Sequence, residues 1–389
     1  MNEPLHDLPL PDGIRARMID NGNGLSMHVL EAGFDTPGRP CVVLLHGFPE
    51  LAFSWRKTML PLADAGFHVI APDQRGYGRT IGGAAAFDVD LHEFTFPNLV
   101  RDVLGLVSAL GYRSVAAVIG HDFGSTVAAW CALIRPDVFA SVVMMSAPFA
   151  GPPSFPFNTA THDASLARVE TASSLMSEAV NALASLDPPR KHYQWYYSGA
   201  QANEDMWCAP QGLAAFMRAY YHVKSADWAG NRPHPLTSVT AEQLALLPTY
   251  YVMNQDATMA QTVAEHMPGG DEIAACTWLP DQALNVYVSE YGRTGFQGGL
   301  NWYRCMTDPA CSDALRTWSG RTIDVPSCFI AGASDWGYYQ RPGDFEAMRR
   351  LACTDFRAAH VIEGAGHWVQ QEQPVTVVSR ILRFLRQDS

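Results

Sequence analysis

The run Val118-Ile119-Gly120-His121-Asp122-Phe123-Gly124 constrains this chain more than any other. An apolar, strand-like stretch leads into it, and a helix pattern follows over residues 126–133. The two glycines bracket a central residue with one position between on each side, the pattern of a nucleophile elbow. Such a turn is too tight for side chains at its flanks. It holds its central residue at the start of a helix, above the end of a strand. That residue is commonly Ser or Cys; here it is Asp122. A carboxylate needs no general base before it attacks. It displaces at a saturated carbon and leaves an alkyl ester on the protein. The plainer reading is an aspartate that only caps the helix, and the rest of the chain decides between the two.

Short apolar runs at residues 25–31, 41–45, 68–71, 114–119 and 142–145 read as strands, the first entered through the turn signal Asn21-Gly22-Asn23-Gly24. A broad apolar face over residues 99–110 reads as a helix, with Gly111 as its stop. Buried strands alternating with helices imply a mostly parallel sheet covered on both faces, an α/β fold. The rhythm breaks at Pro148, where residues 151–156 read as a linker. From there to about Asp308 the chain reads helical and loop-rich, with many Tyr, Trp, His and Met residues. Strands return at residues 327–331 and 359–362, and an amphipathic helix closes the chain at residues 375–385. The expected organisation is a core of residues 1–148 and 309–389, with residues 149–308 inserted as a helical lid.

A net charge of -12 argues against nucleic acid and anionic membrane surfaces as partners. None of the eight cysteines forms a CxxC pair, and several sit in apolar runs. They read as buried thiols of a reduced compartment, not as a disulfide frame or a metal site. The N-terminus has no apolar core of the kind a secretory signal carries, and no run approaches the roughly 18 apolar residues of a membrane span. A cytoplasmic enzyme without a metal or organic cofactor is expected.

Two further stretches belong with the elbow. The strand at 41–45 ends in His46-Gly47-Phe48-Pro49. The loop after that strand supplies one backbone N–H of an oxyanion hole, and the residue after the nucleophile supplies the other. Those donors are Phe48 and Phe123, and His46 reads as a structural, hydrogen-bonding histidine. After the last strand stands Gly364-Ala365-Gly366-His367-Trp368, which places His367 as a base. Asp335, in Ala333-Ser334-Asp335-Trp336-Gly337, follows the preceding strand and is the acid that would orient it, with Asp344 as the alternative.

Four stretches together resemble the epoxide hydrolase branch of the α/β-hydrolases. They are His46-Gly47-Phe48-Pro49-Glu50 with Ser54-Trp55-Arg56, Asp73-Gln74-Arg75-Gly76-Tyr77-Gly78-Arg79, Gly120-His121-Asp122-Phe123-Gly124, and Gly366-His367-Trp368. The resemblance covers nearly the whole core and weakens in the insertion. It implies two lid tyrosines that hydrogen-bond the epoxide oxygen. Residues 294–304 resemble the stretch that carries the second of these, here Tyr303. His192-Tyr193-Gln194-Trp195-Tyr196-Tyr197 resembles the stretch of the first, which gives Tyr193, with Tyr196 as competitor. The lid departs from the family pattern by its length, and Tyr250 and Tyr251 lie in the extra material.

The implied activity is hydrolysis of a small apolar epoxide to a diol, with Trp302, Trp336 and Trp368 beside the site residues as pocket walls. A haloalkane dehalogenase uses the same ester chemistry but must hold a halide. Phe48 and Phe123 offer no ring N–H for that. Fluoroacetate dehalogenases resemble this class too, but carry arginines where this chain has Gly124-Ser125-Thr126. A non-catalytic receptor on the same scaffold is the third reading.

Overall fold

The computed structural model describes residues 5–154 and 167–386, and for residues 167–174 the backbone alone. Its centre is an eight-stranded sheet in the order β1-β2-β4-β3-β5-β6-β9-β10. The strands are β1 Ile14–Asp20, β2 Ser26–Ala32, β3 Cys41–Leu45, β4 His68–Pro72, β5 Ala117–His121, β6 Val142–Met145, β9 Ser327–Gly332 and β10 Phe356–Ile362. β1, β2 and β4 pair antiparallel, and the rest of the sheet is parallel.

The apolar runs are continuous because both faces are covered. Alternate residues of each strand enter opposite cores: Val43, Leu45, Val118 and Met144 on one side, Val42, Leu44, Ile119 and Val143 on the other. Helices α2 Phe96–Ala109 and α3 Phe123–Ile134 cover the first face. Helices α1 Arg56–Asp64 and α8 Pro374–Arg386 cover the second.

Two strands depart from the sequence reading. β1 has no apolar run to announce it, because five of its seven residues are exposed on the sheet edge. Its Arg15 and Arg17 pair instead with buried Glu31 of β2. β5 starts and ends later than residues 114–119, because Val115 leaves the ladder to bridge Phe139.

Between β6 and β9 the described residues are mainly helical and pack over the C-terminal ends of the parallel strands. Helices α4 Tyr193–Tyr197, α5 Leu213–Lys224, α6 Asp281–Thr294 and α7 Gln297–Thr307 form most of this layer near the site. A short antiparallel pair, β7 Arg190–His192 with β8 Val252–Asn254, braces it. At three residues each, these strands are too short to show a period of two in the sequence. Of the linker read at residues 151–156, Phe155 and Pro156 lie outside the described residues.

Helix α7 rests directly on a core loop. A Cβ added at Gly298 would lie 2.0 Å from the Gly76 carbonyl oxygen, and one added at Gly76 would lie 2.7 Å from the Gly298 oxygen. Backbone meets backbone there, and the Trp302 indole N–H donates to the Arg75 carbonyl at 2.9 Å beside it.

Candidate active site

β5 delivers Asp122 to the N-terminus of α3 with φ 54° and ψ −119°, a conformation that non-glycine residues rarely adopt. The flanking glycines are sterically required. A Cβ at Gly120 would lie 1.8 Å from the Gly124 oxygen, and one at Gly124 would lie 2.2 Å from the Leu45 oxygen. The turn lifts the Asp122 carboxylate clear of capping: it accepts no bond from its own helix. Instead, the Phe48 N–H donates to Asp122 Oδ1 at 2.9 Å. Phe123 opens α3, so its N–H is among the four that a helix leaves without an intrahelical partner.

His367 follows β10 and stands against Asp122. Its Nε2 lies 3.5 Å from Asp122 Oδ2 and has no hydrogen-bond partner among the described residues. Its Nδ1 lies 3.1 Å from Asp335 Oδ1, so the three residues line up in the order the sequence suggested. Asp344 is not a partner of this histidine; it starts a short helix at the wall of a cavity.

Ser146 completes the arrangement, and nothing in the sequence reading pointed to it. It sits at the end of β6 with φ 68°. Its hydroxyl donates to Asp335 Oδ2 at 2.6 Å and lies 2.9 Å from His367 Nδ1. A hydroxyl has one hydrogen, so once it donates to Asp335 it accepts from Nδ1–H. The proton of a neutral His367 is thereby fixed on Nδ1, and the Nε2 lone pair faces Asp122.

Below the elbow, both nitrogens of buried His121 are engaged. Nδ1 lies 2.6 Å from Glu50 Oε2, and Nε2 donates to the His367 carbonyl at 2.7 Å. The other Glu50 oxygen accepts from Gln370 and Gln371, at 2.9 Å each. The residues beside the nucleophile and the base are thus tied together. His46 is structural: its Nε2 accepts from the Gln74 N–H at 3.1 Å.

The charges settle the protonation states. Burial pushes the Asp122 carboxyl up, but the charge of His367, 3.5 Å away, with His121 and Lys224 behind, holds it well below the usual carboxylate range. Burial pulls His367 down, yet Asp335 and Asp122 outweigh it and raise the imidazole to about 9. Asp335, pushed up by burial, is brought below its ordinary value by His367, Ser146 and the Gly337 N–H.

A cavity of about 810 Å³ opens over Asp122 and Phe123. Tyr303 and Tyr193 line it from the lid, as does Trp302. The Tyr303 ring packs edge-on against Phe123 and Phe48, with centroids 4.6 and 5.4 Å apart. The Tyr193 hydroxyl donates to Gln340 Oε1 at 3.0 Å. Burial raises both phenols, with the charge of Asp122 adding to it, so both are protonated donors. Tyr196 points away: its hydroxyl donates to Asp205 at 2.7 Å. The expectation for two of the tryptophans is corrected. Trp336 packs against His234, and Trp368 against Tyr221 with its indole N–H on the Tyr221 carbonyl; neither lines the cavity. Sitting next to a site residue in sequence did not place them there, because neighbours in a turn point in different directions.

Residues 40–374 match the model of the alpha/beta hydrolase fold family. Epoxide hydrolase A of Mycobacterium tuberculosis is 33% identical, over 95% of this chain and 96% of its own. Among solved structures, epoxide hydrolase A of Mycobacterium thermoresistibile is 32% identical with a TM-score of 0.71, covering 96% of this chain and 98% of that one. An epoxide hydrolase from an endophytic Streptomyces is 27% identical with a TM-score of 0.74, covering 97% and 96%. Fold and strand-end site therefore define an α/β-hydrolase. Within that class the chain belongs to the epoxide hydrolases, and it is an enzyme.

Proposed function

We propose that the enzyme opens an apolar epoxide with Asp122 as nucleophile and releases the diol with His367 as base. The observation that carries this reading is the opposition of two protonated phenols, Tyr193 and Tyr303, to an ionised Asp122 in one cavity. An epoxide is sluggish at neutral pH because its leaving group is an alkoxide. Both hydroxyls bind the ring oxygen, Tyr193 exchanging its bond to Gln340 Oε1 for one to the substrate, and one of them supplies the proton as the C–O bond breaks. Asp122 Oδ1 is already held by the Phe48 N–H, so Oδ2 is the attacking atom and Oδ1 becomes the ester carbonyl.

Esterification removes the negative charge of Asp122, one of the groups that holds His367 protonated. The imidazole then passes its proton to the lid tyrosine that protonated the alkoxide and, as a neutral base, takes one from water through Nε2. That water attacks the ester carbonyl. The oxyanion at Oδ1 rests on the N–H groups of Phe48 and Phe123. Asp335 and Ser146 hold the imidazolium, and the hydroxyl proton of the adduct goes to the departing Oδ2 as the diol leaves, which restores the starting charges. No step calls for a metal or a cofactor.

A dehalogenase reading has less support. Phe48 and Phe123 carry no ring donor, and the indole N–H of Trp302 is spent on the Arg75 carbonyl. We infer a small apolar epoxide as substrate from the cavity walls of Leu99, Trp130, Phe149 and Leu315. The same reading takes residues 1–148 and 309–389 as core and 149–308 as lid. It also places the enzyme in the cytoplasm, on the strength of eight free cysteines. No helix among the described residues is long and apolar enough to cross a membrane.

The direct test is a panel of aryl and alkyl epoxides assayed beside haloalkanes of similar size. Diol formation without halide release is expected, and the reverse overturns the reading. In the same assay, Tyr303→Phe removes one donor to the developing alkoxide and is expected to lower the rate about a hundredfold, on the order of 3 kcal/mol. Tyr196→Phe is expected to stay near wild type. If it is the damaging change instead, the lid tyrosines are misassigned.

A further inference from the structure

Lys224 ends helix α5 and is only 3% exposed. No carboxylate among the described residues forms an ion pair with it. Four tyrosines surround its ammonium instead: Tyr251 at 4.9 Å, Tyr220 at 5.1 Å, and Tyr193 and Tyr250 at 5.6 Å from Nζ to the ring centroid. Aromatic faces attract a cation through their quadrupole, and more strongly when water is excluded. Three of the rings are fixed by their own hydroxyls. Tyr250 donates to Asn231 at 2.6 Å, Tyr193 to Gln340 at 3.0 Å, and Tyr220 receives Tyr197 at 3.2 Å. Two of the four, Tyr250 and Tyr251, lie in the stretch that the sequence reading takes as extra to the family pattern.

The same residue is joined to the catalytic loop. The His367 N–H donates to the Lys224 carbonyl at 2.8 Å. The ammonium therefore has a fixed relation to the site. We propose that Lys224 is a positioning residue for ester hydrolysis, its caged ammonium acting on the Asp122, His367 and Asp335 cluster.

The charge bookkeeping runs through the two steps. Before attack, Asp122 and Asp335 oppose the charge of Lys224, and the imidazole is held protonated. Once Asp122 is an ester, Asp335 is the main group left to favour the imidazolium, with Glu50 behind it, and Lys224 disfavours it. The buried Glu50 with His121 faces the cluster from below, and Glu372 accepts from the Gly366 and Trp368 N–H groups beside His367 and from the Ala226 N–H after Lys224; neither takes part in the reaction. Ser146 stays neutral, and the lid phenols are neutral again once the imidazolium has returned the proton spent on ring opening. Burial pulls Lys224 down to about 8, against the attraction of Asp122 and Asp335, so its charge is present at neutral pH while Asp122 is ionised, and at the ester stage Asp335 and the four rings are left to hold it. The caged cation thus helps release His367 as a base after the ester forms and not before.

The proposal rests on the two-step reading above, and single-turnover kinetics across pH test both. Ester formation and decay are followed separately in wild type, Lys224→Met and Lys224→Arg, with mass spectrometry of the peptide that contains Asp122. In Lys224→Met the acid limb of ester decay is expected to move up by on the order of one pH unit. Decay below that limb is then expected to be about tenfold slower, with ester formation changed less. Lys224→Arg is expected to restore the limb. If Lys224→Met fails to fold, Lys224→Gln carries the same expectation. A limb unmoved in the neutral variant, or moved as far in the Arg variant, overturns the proposal and leaves the two-step reading intact. Equal slowing of both steps without a moved limb marks a purely structural lysine and overturns it too. No ester in wild type at any pH brings down both readings.

Discussion

Asp122→Ala is expected to abolish turnover, by about four orders of magnitude or more, in a protein that still folds. The loss should be this large because no neighbouring group can replace the carboxylate. Glu50 is committed to His121, Gln370 and Gln371, and Asp335 to Ser146 and His367. The fold should survive because Asp122 supports no helix cap, and its contacts are with the site itself. Alanine meets the same left-handed backbone that aspartate already accepts. Circular dichroism and the thermal midpoint check the fold, and diol formation checks the chemistry. A folded variant that keeps more than a few per cent of activity shows that Asp122 is not the nucleophile.

His367→Gln is expected to separate the two steps. Carboxylate attack needs no base, so the variant should open one epoxide per site and then stall. Intact-mass measurement should show an adduct equal to the substrate, and digestion should place it on the peptide with Asp122. The wild type gives the complementary result in oxygen-18 water. Oδ2 leaves with the diol, so the first turnover should yield unlabelled product while the label enters the carboxylate. Labelled diol from the first turnover would mean that water attacks the epoxide directly, with Asp122 as its base. That outcome removes the nucleophile and leaves the fold as described.

The elbow was legible because its glycines are steric necessities, and His367 because a glycine loop at a strand end has few structural uses. The central strands were legible because burial on both faces leaves continuous apolar runs. β1 was not, because an exposed edge strand has no such run. Ser146 and Lys224 escaped for a different reason. Each matters through partners far away in sequence, Asp335 and His367 for one, Tyr250 and Tyr251 for the other. A lone lysine closing the aromatic run Tyr220-Tyr221-His222-Val223 was a signal, but only the folded lid says what it faces. The failure at Trp336 and Trp368 has the same root: adjacency along a turn says little about direction.

The seam between Gly76 and Gly298 bears on how the substrate range of such an enzyme can change. Side chains are compliant spacers, and a contact without them has no slack. The wall that carries Tyr303 is therefore held in register with the nucleophile by a main-chain contact, with the Trp302 indole beside it, and a single added methyl at either glycine would push it away. New specificities have to be made elsewhere, in the far walls of the cavity and in the length of the lid. There the chain can be remodelled without moving the phenol that meets the ring oxygen.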